Sequence, residues 1–278
     1  MPTTADKRRA FKKLHESGCF VIPNPWDVGS ARYLQHLGFK ALASTSSGFA
    51  WSQALPDRAV TVEPVLAHLA AISAAVDVPV NADFESGYAQ DISAMAENVR
   101  RCVASGVSGL SIEDASGDAA DPIYPIDEAV KRIRAARAAI DAAGGDVLLT
   151  GRAENFLFGR PDLDDTIKRL RAYAEAGADC LYSPGIRTKE QIAAVCAGVA
   201  PKPVNVLIGA VTSLSVNDLA ALGVRRISVG GALARTAWGG FLRAARQIAT
   251  EGSFAAFADA APGSELNPVF ATMADKTK

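Results

Sequence analysis

The chain has 278 residues, of which 49% are hydrophobic and 21% are charged, and its formal net charge is −1. This composition is ordinary for a soluble globular protein with a large core. The charge balance, without a basic cluster that contains aromatic residues, argues against a nucleic-acid partner. No signal-peptide region follows the charged N-terminus and no apolar stretch is as long as a membrane span, so we expect a cytoplasmic protein without a membrane partner.

Short apolar strands alternate with helical patterns along most of the chain. Predicted helices lie at 5–16, 27–37, 62–75, 92–105, 127–143, 163–176, 189–197, 215–222 and 232–249. Predicted strands lie at 20–22, 40–45, 78–83, 110–112, 147–150, 179–182, 203–207 and 226–229. Glycines mark the C-termini of many of these helices. After the second strand, Ser46, Ser47 and Gly48 predict a tight turn.

Eight strand–helix units predict a parallel sheet, and eight such units close naturally into a (β/α)8 barrel of the TIM type. No linker or low-complexity tract interrupts them, so residues 1–278 are expected to form a single domain. The composition changes at about residue 250, where Phe254, Phe257 and Phe270 lie among small and polar residues. We expect this segment, about 250–278, to be a helical tail that packs either on a neighbouring subunit or on the barrel's own wall.

The most informative segment is residues 78–88, which read Val-Pro-Val-Asn-Ala-Asp-Phe-Glu-Ser-Gly-Tyr. Side chains two positions apart on a strand point to the same side, so Asp83 and Glu85 would project together from its end. Neighbouring carboxylates repel each other unless a cation lies between them. Two interpretations follow: a divalent metal site, with Mg²⁺ favoured by the oxygen ligands, or a strand end that continues into a solvated loop.

The ends of the next two strands favour the metal. In a barrel of this type, function lies at the C-terminal face, where these strands end in Glu113 and Arg152. We expect Asp83, Glu85 and Glu113 to converge on a divalent cation. Arg152 could then bind a substrate carboxylate with two parallel hydrogen bonds.

Other polar residues near this face have simpler explanations. Asp27 suits a helix N-cap better than a metal ligand. Asp114 is equally well explained as a loop cap, and Glu154 as a partner that orients the neighbouring arginine. The three histidines fall inside predicted helices, so a histidine base or ligand is not expected: His15, His36 and His68. The glycine pair at 230–231 leaves open a phosphate site formed by backbone N–H groups.

The motifs at the strand ends resemble those of one superfamily. They are Asn24-Pro25-Trp26-Asp27, Ser46-Ser47-Gly48, Asp83-x-Glu85-x-Gly87-Tyr88, Ile112-Glu113-Asp114 and Gly151-Arg152-Ala153-Glu154. Over about residues 20–235 the chain resembles the isocitrate lyase/phosphoenolpyruvate mutase superfamily. The resemblance implies a Mg²⁺-dependent barrel enzyme, with Mn²⁺ as the alternative cation. It also implies a homotetramer in which the C-terminal helix is exchanged between subunits.

The resemblance further implies roles for individual residues. Asp83 would bind the metal directly, whereas Glu85 and Glu113 would act through metal-bound water. Asp57 matches an acid near the metal site of relatives, and Asn205 falls where the lyases hold the far end of the substrate. Backbone donors from residues 47–49 and the Arg152 side chain would bind the substrate carboxylate. The implied substrate-binding residues are Ser46, Ser47, Gly48, Phe49, Arg152 and Asn205.

Two parts of the lyase pattern are missing. Isocitrate and methylisocitrate lyases carry a Lys-Lys-Cys-Gly-His loop that supplies a general acid or base, whereas residues 117–124 here read Gly-Asp-Ala-Ala-Asp-Pro-Ile-Tyr. After the sixth strand the lyases have a glutamate and the mutases a histidine, but this chain has Ser183-Pro184-Gly185. Both differences count against an authentic isocitrate lyase and against a standard phosphonate mutase. In addition, Glu85 stands where most relatives have aspartate.

The resulting expectation is a carbon–carbon lyase for a 2-oxo or 2-hydroxy carboxylic acid. Oxaloacetate-like decarboxylation through a metal-stabilised enolate needs the least acid–base machinery, because CO₂ leaves by itself, whereas cleavage of a substituted malate also needs a base. The candidate catalytic residues are Arg152, Asp57, Glu113 and Tyr124. Two alternatives remain: P–C chemistry of the phosphonopyruvate or phosphoenolpyruvate mutase or hydrolase type, and an oxo-acid-binding barrel with little turnover.

Overall fold

The computed structural model describes residues 2–274 and contains, within them, eight strands in one sheet. The strands are β1 (Phe20–Ile22), β2 (Leu42–Ala43), β3 (Val80–Asp83), β4 (Gly109–Glu113), β5 (Leu148–Arg152), β6 (Cys180–Tyr182), β7 (Val204–Leu207) and β8 (Arg226–Ser228). They are hydrogen-bonded in the order β1-β8-β7-β6-β5-β4-β3-β2, and every pair is parallel. The predicted (β/α)8 barrel is confirmed.

Helices cover the outside of this sheet. They are α1 (Thr4–Leu14), α2 (Val28–His36), α3 (Ser46–Ser52), α4 (Val62–Ala75), α5 (Ile92–Ala104), α6 (Ile126–Ala142), α7 (Leu163–Glu175), α8 (Lys189–Gly198), α9 (Val216–Ala221), α10 (Ala232–Glu251) and α11 (Gly263–Ala274). The predicted tight turn at residues 46–48 is wrong, because α3 begins there. Thr45 is its N-cap, and the Thr45 Oγ1 accepts a hydrogen bond from the Gly48 N–H at 3.2 Å. Hydroxyl residues and glycine favour turns and helix starts alike.

Polar groups close the barrel where β1 and β2 meet. The Ala43 N–H donates to the Pro23 carbonyl at 3.1 Å. Asn24 extends this closure, since its Nδ2 donates to a carbonyl that follows β2 at 2.8 Å. Its Oδ1 accepts from the N–H groups of Val229 and Gly230, each at 2.9 Å. A single buried side chain therefore joins the ends of β1, β2 and β8.

The register of the sheet aligns several of the predicted site residues. Glu113 on β4 lies opposite Arg152 on β5, and Arg152 lies opposite Tyr182 on β6. Tyr182 in turn lies opposite Asn205 on β7. Asp83 ends the adjoining strand β3. Because all strands run in one direction, the side chains of Asp83, Glu113 and Arg152, each the last residue of its strand, meet at the C-terminal end of the barrel, where the sequence placed the site.

The segment after β8 exposes much apolar surface. In α10, all of whose residues are described, only Ala234 is buried. Large exposed apolar side chains of α10 and the following segment are Trp238, Phe241, Leu242, Ile248, Phe254 and Phe257. Helix α11 returns to the barrel, where Glu265 accepts a hydrogen bond from the Tyr33 hydroxyl of α2 at 2.6 Å. Part of the predicted tail thus packs on the barrel's own wall, and residues 275–278 of it lie outside the described residues.

Exchange of a helix between subunits stays a prediction. Among the described residues, no helix is both long enough and apolar enough to span a membrane.

Candidate active site

Arg152, the last residue of β5, is the centre of the candidate site. Its Nη1 lies 2.9 Å from Asp83 Oδ1, its Nη2 lies 3.0 Å from Glu113 Oε2, and its Nε lies 2.8 Å from Glu154 Oε1. The Arg152 side chain is 12% exposed, and both glutamates are buried. The guanidinium also lies 5.1 Å from the centroid of the Tyr182 ring. These charge-assisted bonds hold the guanidinium in one orientation, and the expected pairing of Glu154 with Arg152 is confirmed.

Strained backbone surrounds this cluster. Glu85 and Tyr88, in the loop after β3, have φ angles of 45° and 57°, and Arg58, in the loop before α4, has a φ of 68°. Left-handed backbone costs a residue with a Cβ on the order of 1–3 kcal/mol and persists where surrounding contacts enforce it. One enforcing contact is Arg132 of α6, whose guanidinium donates to carbonyls of the β3 loop at 2.7 and 2.8 Å. Strain of this kind concentrates at functional sites.

Acidic groups outnumber cations in the site. Burial, and then the charge of Asp83, raise the pKa of Asp57. The same two causes, in the same order, raise the pKa of Glu85 to about 7. Burial also raises the pKa of Glu113, although two neighbouring guanidiniums oppose that rise. Burial is the largest cause in each case, and the charge of Asp83 adds to it at Asp57 and Glu85, so both lie within the influence of Asp83.

The donors suit a hard divalent cation. Carboxylate oxygens are the ligands that Mg²⁺ prefers, and the surplus of negative charge has the sign that it requires. Within residues 2–274, no group of three Asp, Glu, His or Cys side chains is arranged to hold an ion directly. Mg²⁺ commonly retains several waters and binds through one or two carboxylates. The arrangement therefore fits a cation held through few direct protein bonds, and the ligand set Asp83, Glu85 and Glu113 stays a prediction.

The predicted substrate-binding segment forms the N-terminus of α3. Ser46 donates to Asp83 Oδ2 from its N–H at 3.0 Å and from its hydroxyl at 2.9 Å. The Gly48 N–H is used by the N-cap, and the Phe49 N–H donates to the Thr45 carbonyl at 3.0 Å. The segment therefore lies at the site and orients Asp83. Its contact with a substrate stays a prediction.

Asn205, on β7, is buried inside the barrel. Its Nδ2 donates to a serine hydroxyl of β8 at 2.9 Å, and its Oδ1 accepts from the Arg226 Nε at 2.9 Å. Arg226 is buried and also donates to the Thr150 hydroxyl at 3.0 Å. A cavity of about 50 Å³ is lined by Asn205 and Arg226 as well as by Asp83 and Arg152. Asn205 thus faces the same cavity as the carboxylate cluster, and its proposed contact with the far end of a substrate stays a prediction.

Asp114 has a larger structural role than a loop cap. Its Oδ2 accepts from the Tyr173 hydroxyl at 2.6 Å and from Arg169 Nη1 at 3.1 Å. Its Oδ1 accepts from the backbone N–H of Glu154 at 2.8 Å. Since Glu154 binds Arg152, Asp114 supports the central guanidinium indirectly, by holding the backbone of Glu154 in place.

The structure does not bring Tyr124 into the carboxylate cluster. Its hydroxyl donates to Gln90 Oε1 at 2.5 Å, and its ring lies 4.7 Å from the guanidinium of Arg132. Its carbonyl accepts a further hydrogen bond from Arg169. Tyr124 thus stabilises the loops beside the site in this conformation.

The turn after β8 offers little to a phosphate. The N–H groups of Val229 and Gly230 already donate to Asn24, as described above. A Cβ placed on Gly231 would lie 2.8 Å from the Ser47 hydroxyl oxygen, so this turn packs closely against α3. Two of the backbone donors in this turn, those of Val229 and Gly230, are therefore occupied by the protein's own side chain.

A wider chamber of about 550 Å³ lies above the ends of β6, β7 and β8 and shares Gly230 with the inner cavity. Its apolar walls include Leu157, Ile186, Leu207 and Val229. Arg187 and Arg235 also line it. The chamber therefore brings two positive charges next to the inner cavity.

Sequence reasoning missed Arg58 and Arg226 in the site region, and it named Asn24 in a strand-end motif without predicting its contacts. The available signals were weak. Arg58 follows Asp57, which was already a candidate, and Arg226 is a charged residue that opens an otherwise apolar strand. A buried charge requires partners, but the partners of Arg226 come from other strands.

Residues 11–249 match the protein family described as phosphoenolpyruvate phosphomutase. The chain belongs to the phosphoenolpyruvate mutase family. The resemblance inferred from the strand-end motifs is thereby confirmed. An oxaloacetate decarboxylase of Bradyrhizobium sp. is 33% identical over 238 residues, which cover 80% of this chain and 77% of the relative.

Solved structures extend the comparison. A Burkholderia cenocepacia protein described as a candidate lyase or mutase is 49% identical with a TM-score of 0.93, and the match covers 96% of this chain and 97% of the other. An oxaloacetate acetylhydrolase bound to its product oxalate is 26% identical with a TM-score of 0.86, over 99% of both chains. These relatives support the prediction of a lyase of this superfamily.

Proposed function

We propose that this protein is a divalent-cation-dependent carbon–carbon lyase that decarboxylates an oxaloacetate-like 2-oxo dicarboxylic acid. The observation that carries the proposal is the fixed Arg152 guanidinium, which lies among Asp83, Glu113 and Glu154 at the C-terminal end of the barrel. The names of the oxaloacetate enzymes among its relatives support the substrate class.

Arg152 is the residue that binds the substrate carboxylate in this proposal. Guanidinium carries five N–H donors, and three of those of Arg152 meet protein carboxylates, so two remain for a ligand. Because the guanidinium is already fixed, it can orient a bound 2-oxo acid without reorganising. Mg²⁺ or Mn²⁺, held by Asp83 directly and by Glu85 and Glu113 through water, would stabilise negative charge that develops on the 2-oxo group.

Decarboxylation suits the remaining side chains better than cleavage of a substituted malate. Loss of CO₂ needs no base to deprotonate the substrate, whereas malate cleavage does. The hydroxyl of Tyr124, a candidate base, is engaged as the donor of a hydrogen bond to Gln90. Asp57, whose pKa is raised first by burial and then by the charge of Asp83, is our candidate for returning a proton to the product.

The test is a metal-dependent turnover assay. Purified protein is treated with EDTA and assayed with oxaloacetate, substituted malates, methylisocitrate and phosphonopyruvate, before and after addition of Mg²⁺ or Mn²⁺. We expect oxaloacetate turnover that EDTA abolishes and either cation restores. Turnover of phosphonopyruvate alone would support the P–C alternative. No turnover of any substrate, with oxalate still raising the Tm, would support an oxo-acid-binding barrel.

We further propose a cytoplasmic homotetramer in which α10 packs on a neighbouring copy. Support comes from the apolar side chains of α10 and from a groove of about 470 Å³ beside it, lined by Trp51, Leu55, Trp238 and Leu242. Exposed apolar patches of this kind mark protein interfaces. Light scattering on a size-exclusion column measures the mass, and a monomer at micromolar concentration would contradict the proposal.

A further inference from the structure

Arg58 enters the site from the rim of the barrel. Its Nη2 lies 2.9 Å from Glu113 Oε1 and 3.9 Å from Glu154 Oε2. Its guanidinium also lies 4.9 Å from the centroid of the Phe158 ring. The Arg58 side chain is 37% exposed, whereas those of Glu113 and Glu154 are 2% and 0% exposed. A partly solvated loop cation therefore pairs with the buried Glu113 and lies close to the buried Glu154.

Glu113 is shared between two guanidiniums that are held very differently. Its Oε2 faces Arg152, which three carboxylates and the Tyr182 ring hold in place. Its Oε1 faces Arg58, which has one close hydrogen bond and lies in a left-handed backbone conformation. Ion pairs with a partly solvated partner are weak. Arg58 is therefore the partner that can leave Glu113.

Arg58 faces the Glu113 oxygen that Arg152 does not contact. Because Oε2 already faces the fixed Arg152, Oε1 is the oxygen that Glu113 would more readily offer to the water of a cation held by Asp83. A guanidinium at that oxygen repels the incoming divalent charge, and the repulsion is strong where little solvent is present. Arg58 and the cation thus compete for one carboxylate oxygen.

The dimensions of the site indicate where Arg58 can go. The inner cavity measures about 50 Å³, which cannot contain a whole dicarboxylic acid. If one carboxylate binds Arg152, the other must lie outside this cavity, and Arg58, whose guanidinium contacts the same Glu113 as Arg152, is a nearby cation that can meet it. A dicarboxylate brings two negative charges and the cation two positive charges, so the charge of Arg58 can pass from a protein acid to a substrate acid.

We propose that Arg58 is a tethered counter-cation: it holds Glu113 before the metal binds, yields that carboxylate to the water shell of a divalent cation, and then binds the distal carboxylate of a dicarboxylate substrate. This inference rests on the proposed function and adds a residue that selects dicarboxylates over monocarboxylates.

The first test measures Mn²⁺ affinity by electron paramagnetic resonance in the absence of substrate. The variants are Arg58→Gln, Arg58→Lys and the matched control Arg160→Gln. Arg160 is a rim arginine that is 44% exposed and pairs with Asp121 at 3.0 Å. We expect Arg58→Gln to bind Mn²⁺ about tenfold more tightly than the wild type. Removal of the neighbouring positive charge should lower the repulsion of Mn²⁺ by about 1.4 kcal/mol, which corresponds to a tenfold change in affinity. Arg58→Lys and Arg160→Gln should bind as the wild type does.

The sign of this effect is decisive. A merely structural role for Arg58 predicts weaker or unchanged Mn²⁺ binding in Arg58→Gln, and either result overturns the inference. Absence of Mn²⁺ binding in every variant overturns both the metal requirement of the proposed function and the role of Arg58. Normal Mn²⁺ binding that Arg58→Gln does not tighten overturns the role of Arg58 alone.

The second test separates the two carboxylates of the substrate. In Arg58→Gln we expect the KM for oxaloacetate to rise about tenfold or more, as for loss of a charged hydrogen bond, while inhibition by the monocarboxylate pyruvate stays unchanged. Arg160→Gln should alter neither quantity. An equal loss of affinity for oxaloacetate and pyruvate would contradict a contact with the distal carboxylate.

Discussion

Acid should destabilise the barrel through His15, which lies beneath Arg226 at the N-terminal end of the strands. The His15 ring packs edge-on against Phe11 and Phe20, with centroid distances of 4.7 and 5.1 Å. Its Nδ1 lies 2.8 Å from the Phe11 carbonyl and therefore acts as a donor, which leaves Nε2 as an acceptor 3.4 Å from Arg226 Nη1. Burial, and then the charge of Arg226, lower the pKa of His15 to about 3.

The size of the effect follows from linkage. The folded-state pKa of about 3 is below the unfolded value of about 6.5, so the unfolded chain binds the proton first. The contribution of His15 to the free energy of unfolding is therefore complete above pH 6.5 and is lost as the pH falls toward 3. At pH 4.5 the expected loss is about 2–3 kcal/mol.

Urea denaturation of the wild type and of His15→Gln, at pH 7.5 and at pH 4.5, measures this contribution. Glutamine retains a hydrogen-bonding amide but does not titrate. Buried carboxylates with raised pKa act in the opposite direction, since their folded state binds more protons, but both proteins share them. We expect the wild type to lose about 2–3 kcal/mol more than His15→Gln between the two pH values. Losses that agree within about 0.5 kcal/mol would refute the assignment of a neutral, half-buried His15.

Three further predictions concern the site. In Arg152→Lys, the ammonium lacks the planar set of N–H donors with which a guanidinium contacts several carboxylates, so kcat/KM should fall about 10²–10³-fold while the Tm changes little. An unchanged kcat/KM would exclude Arg152 from substrate binding. Asp114→Ala leaves Arg169 and the Glu154 N–H without a buried acceptor, and urea unfolding should show a loss of about 3–5 kcal/mol; a loss below about 1 kcal/mol would contradict its supporting role. Tyr124→Phe should keep kcat within about threefold, because the hydroxyl serves Gln90; a hundredfold loss would restore Tyr124 as a catalytic residue.

Local sequence patterns predicted most of the framework. The helix expected at residues 62–75 coincides with α4, and Asp27 is the N-cap of α2, its Oδ1 accepting from the Ser30 N–H at 2.6 Å. These features depend on neighbours a few residues apart, which periodicity and capping rules describe. The error at residues 46–48 has the same origin, since the local signals for a turn and for the start of α3 are alike.

Arg152 illustrates an intermediate case. The sequence placed it just after the fifth strand, whereas it is the last residue of β5. Its approach to Glu113 was nevertheless predictable, because parallel strands end at the same face of a barrel. The three carboxylates that surround it were also named from the sequence, but their distances from the guanidinium depend on the register of β3, β4 and β5.

The sequence by itself determined the barrel, the family and the set of charged residues at its C-terminal end, because these follow from local periodicity and from strand ends that must meet. Only the tertiary structure decided which groups are in contact there. Arg58 reaches Glu113 across 55 positions of sequence. Asn24 occupies backbone N–H groups more than 200 positions away, and Tyr124 is bound to Gln90. Such contacts arise from loop conformations and side-chain packing between distant segments, which no local pattern encodes.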